Sequence, residues 1–176
     1  MKRRTFIAAA CAIAAPAFAQ ETAMTEEDAS LVVDGVRLPG RITKPAGTAR
    51  ASVLLLPGSL FSNEDGDYPS WNVRPHVYRD FAHQLAALGI TSMRQAKIGP
   101  GTGSETLDAA LSAPHQHFEE RVVVARAAIA RLREAAPNAP LFVAGHSEGA
   151  LVASLLCAGE NEGIAGMISL SGPAVP

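Results

Sequence analysis

The sequence is short of most things that hold a protein together from outside its own core. It has two cysteines, and one of them, Cys11, is filler in an apolar leader, so the rest of the chain has Cys157 alone. A lone thiol closes no internal disulfide and builds no cysteine metal site, which leaves packing to supply the stability. Aromatic residues make up only 5 % of the chain against 48 % hydrophobic residues, so the core has to be built from alanine and aliphatic side chains. There is no internal repeat and no heptad pattern. No apolar run reaches the roughly 20 residues of a spanning helix, and no stable membrane anchor is expected.

The first residues are distinctive. A basic start (Lys2, Arg3, Arg4) leads into an apolar stretch from Phe6 to Ala15, then Pro16 and the small-x-small sequence Ala17-Phe18-Ala19. This is the pattern of a secretory signal, residues 1–19, cleaved after Ala19, and it predicts a periplasmic or secreted protein. Arg3-Arg4 before Thr5-Phe6-Ile7 resembles a twin-arginine signal, with ordinary secretion as the other route. Loss of the leader removes three basic residues and no acidic one, moving the formal charge from −2 to −5. Such an acidic chain excludes nucleic acid as an expected partner.

Beyond the leader, residues 20–30 are polar and acidic and read as a flexible arm, and residues 31–176 as one domain. Leu31, Val32, Val33 and Val36 around Asp34-Gly35 predict a hairpin, which Arg41 to Lys44 would continue. Ala51 to Leu56 is almost continuously apolar and stops at Pro57-Gly58, as a strand covered on both faces does. From His76 to Leu88 the apolar positions Val77, Phe81, Leu85 and Leu88 recur at helical spacing, and Gly89 ends the helix. A strand over Ile90 to Met93, a glycine-rich loop over Ile98 to Ser104 and a long helix over Phe118 to Glu134 follow. Leu141 to Ala144 and Ile164 to Leu170 read as strands on either side of a helix from Glu148 to Ala158. This alternation predicts an α/β fold: a three-layer sandwich whose central sheet is mostly parallel.

The residues that carry chemistry lie at Gly145-His146-Ser147-Glu148-Gly149, a G-x-S-x-G between a strand and a helix. A serine raised on so tight a turn has a strained backbone, and only glycines two residues to either side let neighbouring chains come close. Ser147 is therefore the candidate nucleophile, at the positive end of the following helix. His146 points elsewhere on such a turn and reads as a packing residue. Acyl transfer also needs two backbone N–H groups aimed at the developing oxyanion. The candidates are the N–H of Glu148 and that of Ser59 or its neighbour Leu60, after the Pro57-Gly58 strand end; Pro57 has no N–H.

Together with Asn63-Glu64-Asp65-Gly66, Tyr78-Arg79-Asp80-Phe81-Ala82 and Leu88-Gly89-Ile90, these residues resemble the amino-terminal part of an α/β-hydrolase, of the esterase-like and serine-aminopeptidase-like branch. The resemblance runs from Ser52 to Gly172. It implies a Ser, acid and His in that chain order, no metal or organic cofactor, and a small-molecule acyl substrate. Relatives usually carry glycine where Leu60 stands, and aspartate and arginine where Ala96 and Ile98 stand. Their acid and histidine come well after the serine. Here 29 residues follow Ser147, with Glu160 and Glu162 placed too early for the acid and no histidine among them. The fold is thus expected to be cut after about its sixth strand. His115 and His117 are the upstream candidates for a substitute base; His76 and His83 read as helix surface. The leading expectation is an exported serine hydrolase acting on an ester or similar acyl compound. The alternative is a non-catalytic fragment or a ligand- or partner-binding domain, self-associating through the sheet edge at Leu170.

Overall fold

A computed structural model of the chain describes residues 24–112, 118–159 and 163–173. The expected leader lies outside the described residues, as do His115, His117, Glu160 and Glu162. In order along the chain come β1 (Thr25–Asp28), β2 (Leu31–Val33), β3 (Val36–Leu38), β4 (Gly40–Lys44), β5 (Ala51–Leu56), α1 (Val77–Ala87) and β6 (Ile90–Gln95). They are followed by β7 (Glu105–Thr106), α2 (Ala109–Ser112), α3 (Glu120–Ala135), β8 (Leu141–His146), α4 (Glu148–Ala158) and β9 (Ile164–Leu170).

Six strands form the main sheet in the order β1-β4-β6-β5-β8-β9. β6, β5, β8 and β9 run parallel, while β4 and β1 extend one edge antiparallel. β5 lies in the interior of the sheet, and its side chains alternate between two cores. Val53 and Leu55 pack with Tyr78, Ala82 and Leu85 of α1. Leu54 and Leu56 pack with Ala125, Ile129 and Leu132 of α3 and Val152 and Leu156 of α4. The period-2 strand sandwiched by helices on both faces is the expected three-layer α/β arrangement, with a mostly parallel sheet.

The expected hairpin is β2 and β3, paired antiparallel with Val33 opposite Val36. Asp34 and Gly35 both have positive φ, 41° and 75°, the backbone of a tight two-residue hairpin turn. Arg41 to Lys44 does not continue it. β4 instead leaves for the main sheet and pairs with β6, so Ile42 enters the large core, fully buried. The arm also differs from expectation, because residues 25–28 are strand β1, paired along β4.

An acidic strand is tolerable there because a cation lies beneath it. Arg94 of β6, 2 % exposed, donates to Thr43 Oγ1 at 2.7 Å and Asp65 Oδ1 at 2.9 Å and lies 2.9 Å from Glu26. Thr43 and His83 also bond Glu26. Burial alone pushes the Glu26 carboxyl up, but the bonds from Thr43 and the field and bond of Arg94 outweigh it and hold the group below its usual range.

Replacing Arg94 with methionine strands two carboxylates, and because both are partly solvated the cost should sit near the low end for a broken buried pair, about 3 kcal/mol. A carboxyl held low contributes stability that is present above its unfolded pKa and lost as pH falls. The urea-measured gap between the wild type and Arg94→Met should therefore narrow as pH drops below the ordinary value of 4.5.

Candidate active site

The turn after β8 has the geometry that its glycines imply. Ser147 sits at φ 52°, ψ −122° as the N-cap of α4, a strained posture for a residue with a Cβ. A Cβ on Gly145 would stand 2.2 Å from the carbonyl oxygen of Gly149, and one on Gly149 would stand 2.4 Å from that of Leu56 and 2.7 Å from that of Pro57. Neither position has room for a side chain, because α4 presses its first turn onto the end of β5. The Ser147 N–H is fixed from the other side, donating to Leu170 at the end of β9 at 2.9 Å.

This packing brings the two expected halves of the site together. A Cβ on Gly58 would lie 3.2 Å from His146 Nδ1 and 3.4 Å from Ser147 Cβ, so the Pro57-Gly58-Ser59 loop lies directly beside the serine. His146 faces Tyr78, whose hydroxyl lies 3.2 Å from its Nδ1 and accepts the Gly58 N–H at 3.2 Å. Burial holds the Tyr78 phenol above its usual pKa, so it stays a neutral hydroxyl able to bridge the two. His146 is thus the packing residue expected.

Ser59 and Glu148 both line a cavity of about 640 Å³. Its walls include Leu38, Leu56, Phe118 and Val152, and its polar groups include Gln95, Lys97 and Arg121, the mix of an apolar pocket with a few convergent polar atoms that binds small molecules. Arg121 of α3 clamps the site's back: it donates to the Glu148 carboxylate and to the Pro57 carbonyl. The Glu148 side chain is therefore an ion-pair partner rather than a free group.

Sequence reasoning passed over Lys97, whose Nζ donates to the carbonyls of Gly58 at 3.0 Å and Ser59 at 2.6 Å and lies 5.7 Å from the centre of the Phe61 ring. The available signal was position: Lys97 follows the carboxyl end of a parallel strand, where the crevice of an open α/β sheet forms. It stands between Ala96 and Ile98, the two places where the expected aspartate and arginine are missing. The rings of His76 and His83 stand beside other groups, His76 Nδ1 3.0 Å from Asp67 Oδ1 and His83 Nε2 3.1 Å from Glu26 Oε1. Among the described residues Ser147 Oγ has no hydrogen-bond partner, so no base or acid is seen in contact with it.

The family described as "Serine aminopeptidase, S33" matches residues 75–176. No curated protein sequence matches the chain. Among solved structures, the chain is similar to a thermostable carboxyl esterase from Bacillus coagulans, with 17 % identity and a TM-score of 0.62 over 84 % of this chain and 44 % of that one. It is also similar to a dienelactone hydrolase from Anabaena variabilis, with 19 % identity and a TM-score of 0.61 over 85 % of this chain and 64 % of that one. A third is brefeldin A esterase, a bacterial homologue of human hormone sensitive lipase, with 19 % identity and a TM-score of 0.59 over 90 % and 42 %. The chain spans less than two thirds of each of these structures.

The contact of α4 with β5 can be tested directly. Gly149→Ala places a methyl against backbone that cannot yield, and should cost about 1–3 kcal/mol. Chemical denaturation of the full chain measures it, and a neutral result would mean that the helix does not press on the strand end.

Proposed function

Because the chain belongs to the family of the serine aminopeptidases of type S33, we propose that it is an exported serine hydrolase that acts on an ester or similar small acyl compound, with Ser147 as nucleophile. The observation that carries the reading is the left-handed Ser147, lifted between Gly145 and Gly149 at the positive end of α4 and beside the Gly58-Ser59 loop. In this reading the substrate carbonyl lies against Ser147 Oγ, its oxygen receives the N–H groups of Ser59 and Glu148, and the acyl chain occupies the apolar cavity. No metal or organic cofactor takes part. The charged leader directs the chain to the periplasm or beyond.

Among the described residues no base or acid contacts Ser147 Oγ, and His115 and His117, the upstream candidates, lie outside those residues. With oxyanion donors and binding alone, an enzyme of this kind retains roughly 10³–10⁴ over the uncatalysed rate. The first test is reaction of the full chain with a fluorophosphonate probe alongside Ser147→Ala. Labelling of the wild type that disappears in the variant is the expected result. A folded, monomeric wild type that stays unlabelled would sink autonomous catalysis.

One observation favours a second reading. β9 is an outer strand of the main sheet, and Met167, Ile168 and Leu170 on it are all exposed. Such an edge can pair with a second copy of this chain, making it a binding module without chemistry of its own. Under that reading, sedimentation should show a concentration-dependent dimer that Ile168→Lys abolishes, and a monomer at all concentrations would remove it.

A further inference from the structure

The Pro57–Leu60 loop is held by side chains from three separate parts of the fold. Tyr78 of α1 accepts the N–H of Gly58 at 3.2 Å, Arg121 of α3 donates to the carbonyl of Pro57, and Lys97 after β6 donates to the next two carbonyls, at 3.0 and 2.6 Å. A trans peptide is planar, so each carbonyl points opposite to the N–H of the following residue. Fixing the carbonyls of Gly58 and Ser59 on one ammonium therefore turns the N–H groups of Ser59 and Leu60 to the other side of the loop. Among the described residues neither of these N–H groups has a hydrogen-bond acceptor.

Resting on the reading of Ser59 as an oxyanion donor, we infer that Lys97 is the positioning residue of the oxyanion hole, a single cation that aims the Ser59 and Leu60 peptide planes and polarises them. Orientation is one half of its effect. The other is electrostatic: a charge on the carbonyl end of a peptide unit draws electron density toward that end and leaves the N–H a stronger donor. Lysine suits the task because its ammonium has three donors on a flexible stem and can satisfy two adjacent carbonyls at once.

The charge is poised to be lost at accessible pH. Burial first and the Arg121 guanidinium second push Lys97 down to about 8, against a smaller upward pull from Glu148. These two groups, from α3 and α4, share the cavity wall with Lys97, together with Glu120 of α3. Below pH about 8 the ammonium grips both carbonyls; above it the neutral amine donates weakly, and only the Tyr78 and Arg121 bonds still hold the loop.

The test compares the full chain with Lys97→Met and Lys97→Arg, each first shown to be folded. In a pH titration followed by amide NMR, the Ser59 and Leu60 resonances of the wild type should move with a shared midpoint near 8, and those of Lys97→Arg should not, since arginine stays charged throughout. At pH 7 the fluorophosphonate labelling rate should fall roughly tenfold or more in Lys97→Met, short of the 10²–10³ loss from deleting an oxyanion donor outright. Lys97→Arg should recover most of that rate and keep it above pH 8, where the wild type declines. Ser59 and Leu60 amides that ignore the titration overturn the inference, as does wild-type labelling by a folded Lys97→Met. If the wild type does not label at all, autonomous catalysis fails, while the amide titration still decides the role of Lys97. Should Lys97→Met not fold, the wild type and Lys97→Arg titrations decide it without that variant.

Discussion

The closeness of α4 to the end of β5 governs the rest of the molecule's upper face. Because Gly149 has no Cβ, its backbone comes against the carbonyls of Leu56 and Pro57. That one approach sets the angle at which the chain leaves β8, and the angle forces Ser147 into its left-handed posture. It also sets Gly58 beside the serine. A wider separation would leave room for ordinary side chains and a relaxed turn, but Ser59 and Glu148 would then no longer share a cavity wall. The turn that carries Ser147 and the Gly58-Ser59 loop are thus parts of a single packing contact, although 87 residues lie between Ser59 and Ser147 in the sequence.

Around that contact two half-buried cations bond backbone carbonyls. Arg121 reaches Pro57, and Lys97 reaches Gly58 and Ser59. The carbonyls after a strand lose their ladder partners once the sheet ends, and water would otherwise have to satisfy them. Cations from neighbouring elements take over, which fixes the rim of the cavity. Lower in the fold Arg94 does the same for side chains, drawing Glu26 and Asp65 together so that β1, β6 and the loop ahead of α1 meet at one buried guanidinium.

Much of this could be read from the order of residues, for reasons that differ by element. The apolar run of β5, the Asp34-Gly35 turn and the Gly145 to Gly149 elbow are local signals, decided by a few neighbouring residues, and each stands where the sequence placed it. β1 escaped notice because Thr25–Asp28 is acidic and lacks alternation; what makes it a strand is the guanidinium and lysine that await it from β6 and β4, Lys44 bonding Glu27 at 3.0 Å. β4 was assigned to the wrong sheet because the same short alternating run fits either. Its choice depends on the approach of Gly40 to Ala29, where a Cβ would lie 2.6 Å from a carbonyl oxygen. Arg121 gave no local sign at all and Lys97 only its position at a strand end, since a lone cation after a strand or at a helix start is ordinarily solvated.

The bond from the Ser147 N–H to the Leu170 carbonyl joins the turn after β8 to an outer strand of the sheet. Among the described residues β9 pairs with β8 alone and is exposed over most of its length, features of a segment that opens locally. When its last residues peel away, the serine loses the acceptor of its own amide before any residue lining the cavity has moved. Fraying at the margin of the sheet and loosening of the tight turn that carries Ser147 are then one event.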